Sequence, residues 1–148
     1  MDLIQAIDIA ASGMTAQRVR LNVISMNLAN ANTTRTSDGS PYRRKTPVFQ
    51  STPLITSRPS FNDHLRSAFE SQIYGVKVME IVPVQGDLKK IFDPAHPDAD
   101  EKGYVYLPNV NLVQEMVQML NANRAYEANA EAIKTAKEMA LRALDIGK

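Results

Sequence analysis

Two long stretches, one at each end of the chain, repeat apolar residues at the spacing of one side of an α-helix. Between residues 109 and 144, apolar or small residues recur in steps of three and four, and no Gly or Pro interrupts them. Most of the remaining positions hold good helix formers. At 1.5 Å per residue, the pattern predicts a helix of about 55 Å. A helix of this length needs a partner, because a compact domain of this size would not cover it.

The other periodic stretch runs from residue 3 to residue 31. Its apolar or small residues recur every seven positions in two interleaved sets, at Ile7, Met14, Leu21 and Leu28 and at Leu3, Ala10, Ile24 and Ala31. Four heptads in one register predict an amphipathic helix with a coiled-coil type seam. Gln17 is the polar exception, and Gly13 is a weak point because Gly inside a helix costs about 1 kcal/mol against Ala. The helix is expected to end near Asn32, where turn-forming residues follow.

Polar residues interrupt the seam of the C-terminal helix as well. Asn123 and Lys137 lie on its apolar stripe. A single polar residue on such a seam fixes the register and the partner of a helix. Asn123 is a candidate for that role, and an exposed polar residue is the equally weighted alternative. Most of the other asparagines in the two helices are expected to be exposed.

The segment between the helices has a different character and contains all eight prolines of the chain. Residues 45–55 and 76–84 are β-branched, partly alternating and punctuated by Pro, so they predict two edge-like antiparallel strands. Residues 60–69 predict a short helix, and residues 93–103 a loop. The fold class is therefore α+β, with a helix over residues 1–32, a small central β-containing domain over 33–108 and a helix over 109–148.

Composition and charge exclude several classes of protein. The chain has 148 residues, 44% of them hydrophobic, a net charge of +1 and no Cys. This composition fits one domain, removes disulfide and thiolate chemistry, and gives no field that attracts nucleic acid or an anionic membrane. Asp2 and Asp8 make the N-terminus a poor secretory signal, and no apolar run approaches the ~20 residues that span a bilayer.

No arrangement of residues predicts catalysis, a cofactor or a metal. Asp98, Asp100 and Gly103 match an EF-hand frame, but its last position is Asn109 rather than Glu. The two histidines, His64 and His96, have no metal-ligand spacing, and there is no nucleophile elbow or phosphate loop. The basic triplet at residues 43–45 is expected to be a solvated or interface charge rather than a nucleic-acid site.

Several motifs resemble those of a known family. S-x-N-L-A-N-x-N-T occupies Ser25–Thr33, E-M-x-x-M occupies Glu115–Met119, and R-x-Y-E-A-N occupies Arg124–Asn129. Together with the segments DGSPYRRK and FDPAHPDADEKGYV, they resemble the bacterial flagellar basal-body rod proteins, and most closely the proximal rod type. The resemblance covers essentially the whole chain. Ser40 departs from the pattern, since a second Gly is expected at that turn.

The resemblance implies a function. It implies a structural subunit of the proximal rod that polymerises through its terminal helices and transmits motor torque to the hook. These helices would form the core of the rod, like the D0 domains of the family. It implies copies of itself, other rod proteins and basal-body export or MS-ring adaptor components as partners. The location would be the periplasmic rod, reached through the flagellar type III system without a cleaved signal peptide. No enzyme activity, cofactor, nucleic acid or membrane insertion is expected.

The residues expected to carry assembly are those of the two helix seams. They are Leu3, Ile7, Met14, Leu21, Ile24 and Leu28 in the first helix, and Leu112, Met116, Met119, Asn123, Tyr126, Ile133 and Leu144 in the second. The alternative function is a small soluble binding or adaptor module whose helices pair within one molecule. Geometry favours the polymer, because two helices paired alone leave a large apolar flank open to water.

Overall fold

A computed structural model describes residues 3–53 and 74–146 of the chain. These residues form two long helices and two separate two-stranded antiparallel sheets. The elements in chain order are α1 (Leu3–Ala29), β1 (Lys45–Pro53), β2 (Tyr74–Pro83), β3 (Lys89–Phe92), β4 (Tyr104–Leu107) and α2 (Leu112–Ile146). The predicted α+β class is confirmed. The short helix predicted over residues 60–69, and His64 within it, lie outside the described residues.

The two helices pack against each other within the subunit and run antiparallel. Asn27 of α1 meets Glu115 of α2, and Gly13 of α1 lies against Asn129 of α2. The second contact lies 14 residues nearer the N-terminus of α1 than the first, and 14 residues nearer the C-terminus of α2. The two helices are therefore antiparallel. The buried apolar residues of the two helices are small or β-branched, namely Ala10, Ala16, Val23 and Ile24 on α1 and Ala122 and Ala136 on α2. Such residues let two helix backbones approach closely.

The close approach at Gly13 explains a residue that looks unfavourable in the sequence. A Cβ atom at this position would lie 3.0 Å from Nδ2 of Asn129 and 3.1 Å from its Oδ1. Ser12, the preceding residue, donates a hydrogen bond from its hydroxyl to the Ile9 carbonyl and accepts one from the Val76 amide of β2. The Ser12–Gly13 pair therefore places α2 on one side of α1 and the sheet on another.

Strands β1 and β2 form the sheet that packs on α1. Their pairing runs from Lys45 opposite Pro83 to Pro53 opposite Tyr74, with a bulge between Val48 and Phe49. The two strands predicted from the sequence are confirmed to within two residues at each end. The guanidinium group of Arg20, on α1, lies 4.6 Å from the centre of the Phe49 ring. This cation–π contact and the Ser12 hydrogen bond join the sheet to the helix.

A second pair of strands, β3 and β4, was not predicted. It brackets the loop predicted over residues 93–103, which the structure confirms as a loop. Gly103 has a φ of 77°, and a Cβ there would lie 3.0 Å from the Phe92 ring, so the turn needs Gly. The Asp100 carboxylate accepts hydrogen bonds from the amides of Tyr104 and Lys102. These backbone hydrogen bonds, the Tyr104 one foremost, lower the pKa of Asp100.

Candidate assembly surface and polar node

A cluster of polar side chains is buried where the C-terminal end of α1 meets the start of α2. At its centre is Asn27, with only 1% of its surface exposed. Its Nδ2 donates hydrogen bonds to the Lys45 carbonyl (2.8 Å) and to Oε2 of Glu115 (3.1 Å). Its Oδ1 accepts hydrogen bonds from the Tyr42 hydroxyl and the Lys45 amide, both at 2.9 Å. The amide therefore uses both donors and two acceptor sites, which is the full hydrogen-bonding capacity of an Asn side chain in this geometry.

Glu115 is the second buried member of the cluster, also 1% exposed. While Oε2 accepts from Asn27, Oε1 accepts a hydrogen bond of 2.6 Å from Nε of Arg44. Arg44 donates a further hydrogen bond of 3.1 Å to Oε1 of Gln118, one helical turn along α2. A buried carboxylate is tolerated only when it is paired and hydrogen-bonded, and Glu115 meets both conditions.

The same cluster anchors the chain between α1 and β1. The Arg44 amide donates to Oδ1 of Asn109, whose Nδ2 in turn donates to the Val84 carbonyl. The Val84 amide donates to the Arg44 carbonyl at 2.7 Å. We call Asn27, Tyr42, Arg44, Lys45, Glu115 and Gln118 the polar node. It joins α1, the start of β1 and α2 through side chains that lie far apart in the sequence.

Tyr42 of the node is buried and donates its hydroxyl hydrogen to Asn27. Burial of the side chain is the main cause of a raised pKa for Tyr42, and the nearby Glu115 carboxylate adds to it. Both causes disfavour a phenolate in this position. The node therefore holds one carboxylate, one guanidinium group and one neutral phenol, with the Lys45 ammonium group 6.0 Å from the centre of the Tyr42 ring.

Sequence reasoning missed the node. It expected most helix asparagines to be exposed, yet Asn27 is buried, and it gave no role to Glu115. The signal was present in the motifs, because Asn27 belongs to S-x-N-L-A-N and Glu115 to E-M-x-x-M. Such a long-range contact is to be expected for a polar residue that belongs to a motif, lies inside a helix and has no charge partner nearby in the sequence.

The predicted seam residues of α1 lie on one side of the helix. At 100° per residue, Leu3, Ile7, Met14, Leu21 and Leu28 are turned well away from Ser12, which contacts the sheet. All five are half-buried, while Ile24 is buried. These residues therefore form a half-buried apolar surface on the side of α1 opposite the sheet.

The predicted seam residues of α2 divide by exposure. Met119, Tyr126 and Ile133 are half-buried, whereas Leu112, Met116 and Leu144 are exposed. Asn123 is exposed as well, and its Nδ2 donates to Oε1 of Glu127 on the same helix. By helical phase these residues extend the α1 side described above. We call the seam residues of both helices, apart from the buried Ile24, the sheet-free face.

The start of α2 adds a second apolar surface. Met116 is 54% exposed, and its neighbours on the outer side of the helix are exposed to a similar or greater extent. We call Leu112, Val113, Met116, Val117 and Leu120 the exposed α2 stripe. From residue 109 to residue 123 the only charged residue is Glu115, which is buried. This end of the helix pair therefore presents apolar side chains and no charge to the outside, which is typical of the core of a protein interface.

The residues considered for chemistry are engaged in the loop between β3 and β4. Nδ1 of His96 accepts a hydrogen bond from the Asp98 amide, and Asp98 accepts one of 2.7 Å from the Thr34 hydroxyl. Asp98 thereby fastens this loop to the segment that follows α1. Within the described residues, no three His, Asp or Glu side chains are grouped to hold a metal ion. No helix in the same part of the chain is long and apolar enough to cross a membrane.

Comparison with known proteins gives full-length relatives. A family model for flagella basal body rod proteins matches residues 7–35, and one for the C-terminal part of flagellar basal body rod FlgEFG proteins matches residues 101–146. The flagellar basal-body rod protein FlgC of Borreliella burgdorferi is 46% identical, over 99% of this chain and 98% of that protein. The FlgC proteins of Aquifex aeolicus and Escherichia coli O157:H7 are 43% and 41% identical over at least 99% of each chain.

Proposed function

Because this chain belongs to the flagellar basal-body rod protein family, we propose that it is a structural subunit of the proximal rod that polymerises through its helices. The resemblance seen in the sequence motifs is thereby confirmed. In the rod, the subunit passes motor torque to the hook. Many parallel helix contacts suit that task, because torque must cross between subunits without slip.

The observation that carries the assembly mechanism is the exposed α2 stripe. Its five large side chains remain about half exposed although α2 is already paired with α1. Covering the rest of each side chain would contribute about 1 kcal/mol, since complete burial contributes about 1.5–3 kcal/mol. A binding module with paired helices, the alternative function, would leave this stripe in water. A neighbouring subunit covers it.

We assign the contacts between subunits to the sheet-free face together with the exposed α2 stripe. The half-buried residues Leu21, Leu28 and Met119 would become fully covered on assembly, and Asn123 would exchange its contact with Glu127 for one with a neighbour. In this arrangement the two terminal segments, residues 1–32 and 109–148, which contain α1 and α2, form the inner part of the rod. The central segment, residues 33–108, is displayed outside them.

The proposal includes the surroundings of the subunit. The subunit is exported through the flagellar type III system without a cleaved signal peptide and acts in the periplasmic rod of the basal body. Its partners are copies of itself, other rod proteins and the export or MS-ring adaptor components at the base. It is not an enzyme. The engagement of His96 and Asp98 in loop hydrogen bonds supports this, because neither side chain is held ready for a substrate.

The test is a charge on the exposed α2 stripe. Met116→Asp should abolish rod assembly and swimming, because the carboxylate would be desolvated without a partner in each subunit contact, at several kcal/mol. The free subunit should keep its circular dichroism and its melting temperature, because residue 116 is exposed there.

The matched control is Gln114→Asp, which places the same charge on an exposed position of the first turn of α2, outside the stripe. This variant should assemble and swim, because an acidic residue is favourable in the first turn of a helix. Normal swimming of the Met116→Asp variant would refute the proposal.

A further inference from the structure

The antiparallel helix pair contains two contacts that define the same alignment. Asn27 bonds to Glu115, and Gly13 lies against Asn129. In both contacts the two residue numbers add to 142, for 27 with 115 and for 13 with 129. The contacts lie 14 residues apart on each helix, which is two heptads. Residue 6 of α1 is therefore level with residue 136 of α2.

The buried apolar residues of the two helices do not define the alignment by themselves. Four of the six buried apolar residues in the described helices are Ala, namely Ala10, Ala16, Ala122 and Ala136, and the other two are Val23 and Ile24. Small side chains interlock less than large ones, so their packing discriminates only weakly between neighbouring alignments. Two long helices of this composition need a feature that rejects the shifted alignments.

We infer that the buried Asn27–Glu115 pair sets the register of the two helices, with the Gly13–Asn129 contact as a second check. A shift of α2 by four residues moves Glu115 by about 6 Å along the axis. Its carboxylate would then face Val23 or Ala31 instead of Asn27 and would lose Arg44 as well. A buried carboxylate without partners is strongly disfavoured, so the shifted alignments are rejected.

The node also couples this register to the segment between α1 and β1. The carbonyl and the amide of Lys45 both bond to Asn27, and Arg44 bonds to Glu115. The start of β1 can therefore dock only when the helices are aligned as observed. This inference concerns the isolated subunit and goes beyond the proposed function, since it holds whether or not the subunit enters a rod.

The absence of Cys from the chain makes a direct test possible. One reporter carries Ala6→Cys with Ala136→Cys and forms a disulfide in the observed register. A second carries Ala6→Cys with Ala140→Cys and forms one only when α2 is shifted by four residues, because 6 and 140 add to 146. Oxidation of each purified subunit under dilute conditions, followed by gel electrophoresis, gives the two disulfide yields.

With the native node, the first reporter should form its disulfide at about ten times the yield of the second or more. Exchanging Glu115 and Met119, as Glu115→Met with Met119→Glu, moves the carboxylate by four residues. Residues 27 and 119 also add to 146, so the preference should switch to the second reporter. The exchange keeps composition and charge constant, which makes it its own control for those properties.

Retention of the first disulfide in the exchanged chain would overturn the inference. Loss of both disulfides with helical circular dichroism intact would do so too. If the exchanged chain loses its helical signal, the variant Asn27→Leu with Glu115→Leu decides the matter. In that variant the yield of the first disulfide should be no more than about three times the yield of the second. An unchanged ratio of the two yields would refute the role of the pair. A failure of rod assembly would leave all these yields as expected, so the two proposals fail separately.

Discussion

Replacing Asn27 by Ala should destabilise the subunit more than any other single loss of an amide in the described helices. The change removes four hydrogen bonds at once and leaves the Tyr42 hydroxyl, the two backbone groups of Lys45 and one Glu115 oxygen without that partner. Each buried group left unpaired costs about 1–3 kcal/mol. The full sum is an upper limit, because Asn27 also lines a cleft of about 420 Å³ from which water can reach the vacated site.

We therefore expect a loss of about 3–5 kcal/mol in the free energy of unfolding for Asn27→Ala. For a chain of this length, that corresponds to a fall of about 10 °C in melting temperature. Urea unfolding followed by circular dichroism at 222 nm measures the loss. Asn22→Ala is the matched control, because Asn22 is an exposed asparagine of the same helix, and it should change stability by less than about 0.5 kcal/mol. A loss below about 1 kcal/mol for Asn27→Ala would show that the node is not a source of stability.

Two further predictions concern the helix contact and the buried phenol. Gly13→Ala alone should gain little stability, because the new methyl group meets Asn129. In an Asn129→Ala background the same change should gain about 1 kcal/mol, because the helix propensity of Ala then acts unopposed. Urea unfolding measures both effects, and equal effects in the two backgrounds would contradict the close contact. Since the folded subunit raises the pKa of Tyr42, the contribution of Tyr42 to stability should be fully present below the unfolded-state pKa of about 10 and should be lost as the pH rises further. Tyr42→Phe should flatten that fall above about pH 10, and an unchanged slope would contradict the assignment.

The long elements of the fold were predictable from the sequence because their periodicity persists. Helices α1 and α2 and the strands of the first sheet follow apolar patterns that extend over nine residues or more. Strands β3 and β4 have four residues each, which is too short for a period to be distinguished from chance. Their pairing depends on the Asp93–Gly103 loop, whose internal hydrogen bonds the sequence pattern does not specify.

The candidate site was predictable in its apolar part only. The heptads of α1 and α2 identified the half-buried residues of the sheet-free face, such as Leu21 and Met119. A periodic pattern is recognised from its apolar residues, so an Asn or Glu in the helix is predicted to be exposed, even where it is buried. Asn27 and Glu115 are 88 residues apart, and their pairing exists only after the helices have met. For the same reason Gly13 looked like a defect until Asn129 was seen beside it.

The pairing of the two chain ends has a consequence for the way in which the subunit folds. Contacts between residues as distant as Asn27 and Glu115 give the chain a high contact order, and closing so long a loop comes at an entropic cost before any contact compensates for it. During synthesis, α1 is made well before its partner helix, which begins only at Leu112. Until then α1 can pack only against the sheet of β1 and β2, through contacts such as the hydrogen bond that the Val76 amide donates to Ser12. The side of α1 that faces α2 therefore stays uncovered until α2 has been made, and the native helix pair forms late.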